Sequence, residues 1–144
     1  VYKRQRLYEA SQAGVEIDLI VRGICCLIPG QTYSRNIRVT RIVDTFLEHA
    51  RIWYFGNGGN PKLFLGSPDW MRRNLYRRIE AVTPILDPDA KQELIDMLFI
   101  QLSDKRKACF VDENLRNCWK SAHPQKEKVR SQYTFYEYLK EKTE

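Results

Sequence analysis

The sequence has no uninterrupted apolar run near the ~20 residues that a membrane-spanning helix needs. Its most apolar stretch, from Val15 to Ile28, is broken by Asp18 and Arg22. It also has no C-x-x-C pair. Cys25 and Cys26 are adjacent while Cys109 and Cys118 stand apart, so no zinc spacing exists, and neighbouring cysteines are a strained geometry for a disulfide. Free thiols of a reducing compartment are expected. Neither the Walker spacing nor G-x-G-x-x-G occurs, so GNGGN at 56–60 reads as a turn rather than a phosphate cradle. There is no internal repeat, and collagen-like, mucin-like and low-complexity compositions are excluded. The chain begins VYKRQRLYEAS, without Met and without a charged-then-apolar leader, which reads as a piece of a longer protein. The expected location is the cytoplasm, with peripheral membrane association left open.

What is present is an ordinary globular balance. Hydrophobic residues make up 43% and charged residues 29% of 144 residues, enough for one domain with its own core. The net charge of +6 favours a polyanionic partner without saying which.

Good helix formers over QRLYEASQAG, closed by Gly14, predict a first helix. VEIDLIV (15–21) then alternates before turning fully apolar, the pattern of a strand entering a buried sheet. Arg22 and Gly23 follow its carboxyl end, where open α/β sheets place their ligand crevice. Ile42, Val43, Phe46 and Leu47 recur at spacings of three and four, predicting a short amphipathic helix. RIWYF and LFLGS on either side of GNGGNPK predict a hairpin, and RRIEAVTPI a further strand. Asp87 and Pro88 open the best-marked helix, with Leu94, Ile95, Leu98 and Leu102 on one face. The segment 107–132 reads as polar and irregular, and YTFYEYLKEK as a closing helix. The alternation predicts an α/β fold with a mixed β-sheet flanked by helices.

Chemistry concentrates between residues 46 and 80. On a strand, residues two apart share a face, so His49 and Arg51 are expected to project together. Imidazole beside guanidinium suits phosphoryl chemistry: the first can attack phosphorus or move a proton, the second forks onto phosphate oxygens. Ser67 offers a hydroxyl, and Asp69 a carboxylate able to orient an imidazole. Arg72, Arg73, Arg77 and Arg78 form a dense cationic run. His123 reads as a surface residue, and a metal site joining it to Cys109 and Cys118 lacks a fourth ligand.

LYEASQAGVEIDLIVRGICCL, FLEHARIWYFGNGG and GSPDWMRRNLYRRIEAVTPI, in that order, resemble the C-terminal catalytic domain of bacterial polyphosphate kinases of the phospholipase D-like type. The likeness is clear over about residues 7–105 and weaker over 106–144, and it implies a single phospholipase D-like half-domain. Phospholipase D-like enzymes in general carry H-x-K followed by Asp, then G-S-x-N. Here Arg51 stands for the Lys, Gly56 for the Asp and Asp69 for the Asn. The resemblance implies reversible transfer of the terminal phosphate of ATP to inorganic polyphosphate, with Mg2+, through a phosphohistidine on an upstream domain. It implies that His49 is the second essential histidine and that Arg22 binds nucleotide phosphates, the two converging on one concave surface. Arg51, Ser67, Asp69, Arg73 and Arg78 complete the expected ATP- and phosphate-binding set, with no metal ligand in this chain. The magnesium would be held largely by residues elsewhere in the full-length protein, a homo-oligomer, and this chain alone is expected to be inactive.

Two other readings compete. One is half of a phospholipase D-like phosphodiesterase or nuclease, disfavoured by the missing Lys and Asp. The other is a non-enzymatic basic module binding nucleic acid or polyphosphate, favoured by the charge but not by Arg22 and His49, which look buried. In the kinase reading no nucleic-acid partner is expected.

Overall fold

A computed structural model describes residues 2–143. The chain divides into two compact units, Val1–Phe46 with Phe99–Glu144, and Leu47–Leu98.

In the first unit, helix α1 (Tyr2–Gln12) ends where Gly14 takes φ +90°, a conformation that costs glycine little, and the Val15 amide closes back on the Ala10 carbonyl. Strands β1 (Ile17–Ile20) and β2 (Ile37–Ile42) pair in parallel, Ile17 against Ile37. Leu27, Ile37, Val39 and Val111 form the buried cluster, with Leu7 and Tyr8 of α1 packed against it. Buried Ser11 accepts the Asn36 amide at 3.2 Å, tying the end of α1 to the start of β2.

The helix expected around Ile42–Leu47 does not form. Ile37, Val39 and Ile42 are needed in the sheet, where β-branched side chains pack well, so the period of two wins and Val43, Phe46 and Leu47 are left exposed in irregular backbone. The segment expected to be irregular instead holds β6 (Ala108–Val111) and β7 (Asn117–Trp119). The turn between them is built by Asp112, whose carboxylate accepts the backbone amides of Asn114 and Arg116, while Leu115 takes φ +61°. Sheet order is β1-β2-β6-β7, parallel in its first pair and antiparallel thereafter. Helix α4 (Ser131–Thr143) begins two residues before the YTFYEYLKEK segment and ends one residue after it.

The second unit contains β3 (Ile52–Phe55), β4 (Lys62–Gly66) and β5 (Val82–Pro84), an antiparallel sheet separate from the first. The β3–β4 hairpin is as expected, turned through positive φ at Asn57, Gly58 and Gly59. RRIEAVTPI contributes only its last part as strand, and helix α2 (Arg72–Arg77), unforeseen, precedes it. Helix α3 (Pro88–Ser103) begins as read, with Asp87 Oδ1 accepting the Ala90 amide at 2.8 Å. Among the described residues no helix is long and apolar enough to cross a membrane, and all four cysteines are free thiols.

Candidate functional site

His49 and Arg51 do not lie on a strand; both precede β3 in irregular backbone. They meet nonetheless, because Arg51 folds its guanidinium back onto its neighbour. Its Nη1 donates to His49 Nδ1 at 2.8 Å and to the His49 carbonyl at 2.7 Å. Its Nε and Nη2 both donate to Asp69 Oδ1, at 3.1 and 2.9 Å. Asp69, read as a carboxylate able to orient an imidazole, is linked to His49 through Arg51. A guanidinium can only donate, so Nδ1 is the acceptor and a neutral His49 keeps its hydrogen on Nε2. The free corner of the ring is therefore a donor.

A second chain of hydrogen bonds runs beside the first. Ser67 Oγ donates to Glu80 Oε2 and accepts the Ala81 amide. Asn74, buried on α2, donates Nδ2 to Glu80 Oε1 at 2.8 Å. The Ser67 hydroxyl, the Asn74 amide and the charges of Arg78 and Arg51 together hold the Glu80 carboxyl below its ordinary pKa. Ser67 is kept in register because Gly66 leaves no room beside it: a Cβ there would stand 2.9 Å from the Ala81 carbonyl, the Trp53 ring and Val82 Cγ2. The sequence reading missed Glu80 and Asn74. A signal was available, since Glu80 is the only acidic residue between Asp69 and Asp87 and closely follows the run of four arginines.

A family model described as polyphosphate kinase C-terminal domain 2 matches residues 4–132. The chain belongs to the polyphosphate kinase family. The polyphosphate kinase of Synechocystis sp. is 60% identical over 103 residues, 71% of this chain and 14% of that protein. The Escherichia coli K12 polyphosphate kinase is 47% identical over 136 residues, 94% of this chain and 20% of that protein. The crystal structure of the polyphosphate kinase from Porphyromonas gingivalis superposes with a TM-score of 0.93 at 56% identity, covering 98% of this chain and 22% of that one. The chain thus spans about a fifth of the length of such relatives.

Within this polyphosphate kinase domain, Arg51, Ser67, Asp69, Arg73, Arg78 and His49 all belong to the second unit, and Arg22 to the first. Arg22 and His49 are exposed, contrary to the buried reading, and so are Arg72, Arg73, Arg77 and Arg78 on and beside α2. The loop carrying Arg22 is pinned by Arg41, which donates to the Gly23 carbonyl at 3.0 Å and to Asn117 at 2.8 Å.

Proposed function

We propose that this domain supplies half of an active site for reversible transfer of the terminal phosphate of ATP to inorganic polyphosphate, the phosphate passing through a phosphohistidine on an upstream domain. The observation that carries the reading is the Asp69–Arg51–His49 chain, which leaves Nε2 of an exposed imidazole with a hydrogen to donate. A donor is suited to a phosphoryl oxygen or a leaving phosphate, whereas a nucleophilic nitrogen would need its lone pair. His49 therefore acts as hydrogen-bond donor and charge stabiliser, and the histidine that becomes phosphorylated lies elsewhere. Arg22 and the exposed Arg73 and Arg78 hold phosphate oxygens, and Arg51 serves mainly by fixing the ring.

In this reading magnesium is not held by the carboxylates near His49. Among the described residues no three His, Cys, Asp or Glu side chains cluster. Asp69 is engaged by Arg51, and Glu80 by Ser67 and Asn74. In this reading the ion arrives with the nucleotide and is held from outside this domain.

The phosphodiesterase reading is weakened by the commitment of Arg51 to Asp69. The polyanion-binding reading gains from the exposure of the four arginines, and it is compatible with the kinase one because a polyphosphate chain needs such a surface. The deciding test is His49→Ala in the full-length enzyme. Loss of about 10²–10³-fold in phosphate transfer with unchanged circular dichroism is expected; near-normal turnover would remove the role.

A further inference from the structure

The first unit contains an open cleft of about 620 Å3 whose lining includes Arg106, Lys107, Trp119, Ser121 and Pro124, and none of the residues of the site around His49. Its volume is in the range of small-molecule sites. Its lining holds two cations and no carboxylate.

The cations are held in place and incompletely neutralised. The backbone amides of Arg106 and Lys107 both donate to Asp104 Oδ1, at 2.8 and 2.7 Å, which fixes the turn that carries them. Arg106 is half-buried as a residue, and its guanidinium has no hydrogen-bond or ion partner among the described residues. The Lys107 ammonium lies 3.8 Å from Asp44, a carboxylate already gripped by Arg130 through two bonds of 2.7 Å. One carboxylate is thus shared by two cations, and Arg106 has none. A guanidinium without a counter-ion in the lining of a cleft is free to take an anion. The Glu127 carboxylate, hydrogen-bonded to the lining residue Ser121, accepts its hydroxyl at 2.6 Å.

Trp119 decides which anion. It stands on β7, held in register opposite Cys109, yet it is 58% exposed. A bare polyphosphate would use the two cations and leave the indole in water. A nucleoside phosphate uses both features, its base stacking on the indole while guanidinium and ammonium take the phosphates.

We propose that this cleft binds a nucleoside di- or triphosphate, with Trp119 as the stacking surface and Arg106 and Lys107 as the phosphate grip. The proposal does not depend on the role given to His49.

The test is equilibrium binding of ADP and of inorganic tripolyphosphate to this chain at low, fixed salt, in a background carrying Arg22→Gln and His49→Ala so that the other proposed phosphate residues are removed. ADP binding is expected to persist in that background. Trp119→Ala should weaken it about tenfold or more while changing tripolyphosphate binding less than about twofold. Trp119→Phe should retain most of it, which separates stacking from a folding defect, and Arg106→Gln should weaken both ligands. Loss of ADP binding in the background, no ADP binding at millimolar concentration, or equal ADP affinity in Trp119→Ala would each overturn the proposal. The last of these, with tripolyphosphate still bound, would leave only a polyanion surface.

Discussion

Replacing Asp104 should destabilise the first unit more than any exposed charge can. The side chain is fully buried between α3 and β6. Its Oδ1 accepts the Arg106 and Lys107 amides, and its Oδ2 accepts the Ser131 amide at 2.8 Å, at the first residue of α4. Ser131 is itself buried, so its N–H cannot turn to water when the acceptor is removed. An unsatisfied buried donor costs about 1–3 kcal/mol. Taking about 2 kcal/mol for Ser131 and about 1 kcal/mol for each of the two better-hydrated turn amides, Asp104→Ala should cost about 4 kcal/mol. For a chain of this length the unfolding entropy is about 0.3 kcal/mol/K, so Tm should fall by about 13 °C. Asp104→Asn keeps one oxygen, which can serve the two turn amides, and loses the Ser131 bond, so about 2 kcal/mol and about 7 °C are expected. Because the chain has two units, the readout should be amide hydrogen exchange along β6 and α4 alongside urea and thermal unfolding followed by circular dichroism. The reasoning is wrong if both variants lie within ~0.5 kcal/mol of the parent, the range expected of ordinary surface substitutions.

Other outcomes follow from neighbouring contacts. Hydrogen bonding to Arg130 holds the Asp44 carboxyl below its ordinary value, and Arg38 does the same for Asp18. A depressed folded-state pKa contributes stability above the unfolded value of about 3.9 and loses it as pH falls through the folded one. Arg130→Gln should therefore be less stable than the parent at pH 7, with the difference shrinking below about pH 4; a pH-independent difference in urea midpoint would contradict this. Gly66→Ala drives a Cβ to 2.9 Å from the Ala81 carbonyl, so the sheet of the second unit should lose about 1–3 kcal/mol, read as faster exchange of the Ser67 and Ile85 amides. Polyphosphate binding through Arg72, Arg73, Arg77 and Arg78 should fall with salt at a log–log slope of about −3, taking about −0.7 per contact as for single-stranded nucleic acid, and replacing two of the four by Gln should roughly halve that slope. A flat salt dependence would remove the arginine surface from the binding reading.

Local chemistry was enough for the elements whose signals lie within a few residues. Gly14 ends α1, Asp87 with Pro88 starts α3, and GNGGN turns the β3–β4 hairpin, because caps and positive-φ turns are satisfied by the segment itself. That His49 and Arg51 meet was legible for the same reason, since they are two residues apart. Tertiary structure decided the rest. The spacing of Ile42, Val43, Phe46 and Leu47 was compatible with a helix, and only pairing with β1 on one side and β6 on the other made Ile37–Ile42 a strand. The β6–β7 hairpin is short and polar, and it exists because β2 offers an edge to a segment some 70 residues later, a contact no local pattern contains. Likewise, that Arg51 rather than Asp69 touches His49, that Glu80 binds Ser67, and that Arg106 and Trp119 share a cleft depend on where side chains meet after folding. Composition and spacing determine which groups are present; burial and hydrogen-bond geometry determine which of them are neutralised and which remain available to a ligand.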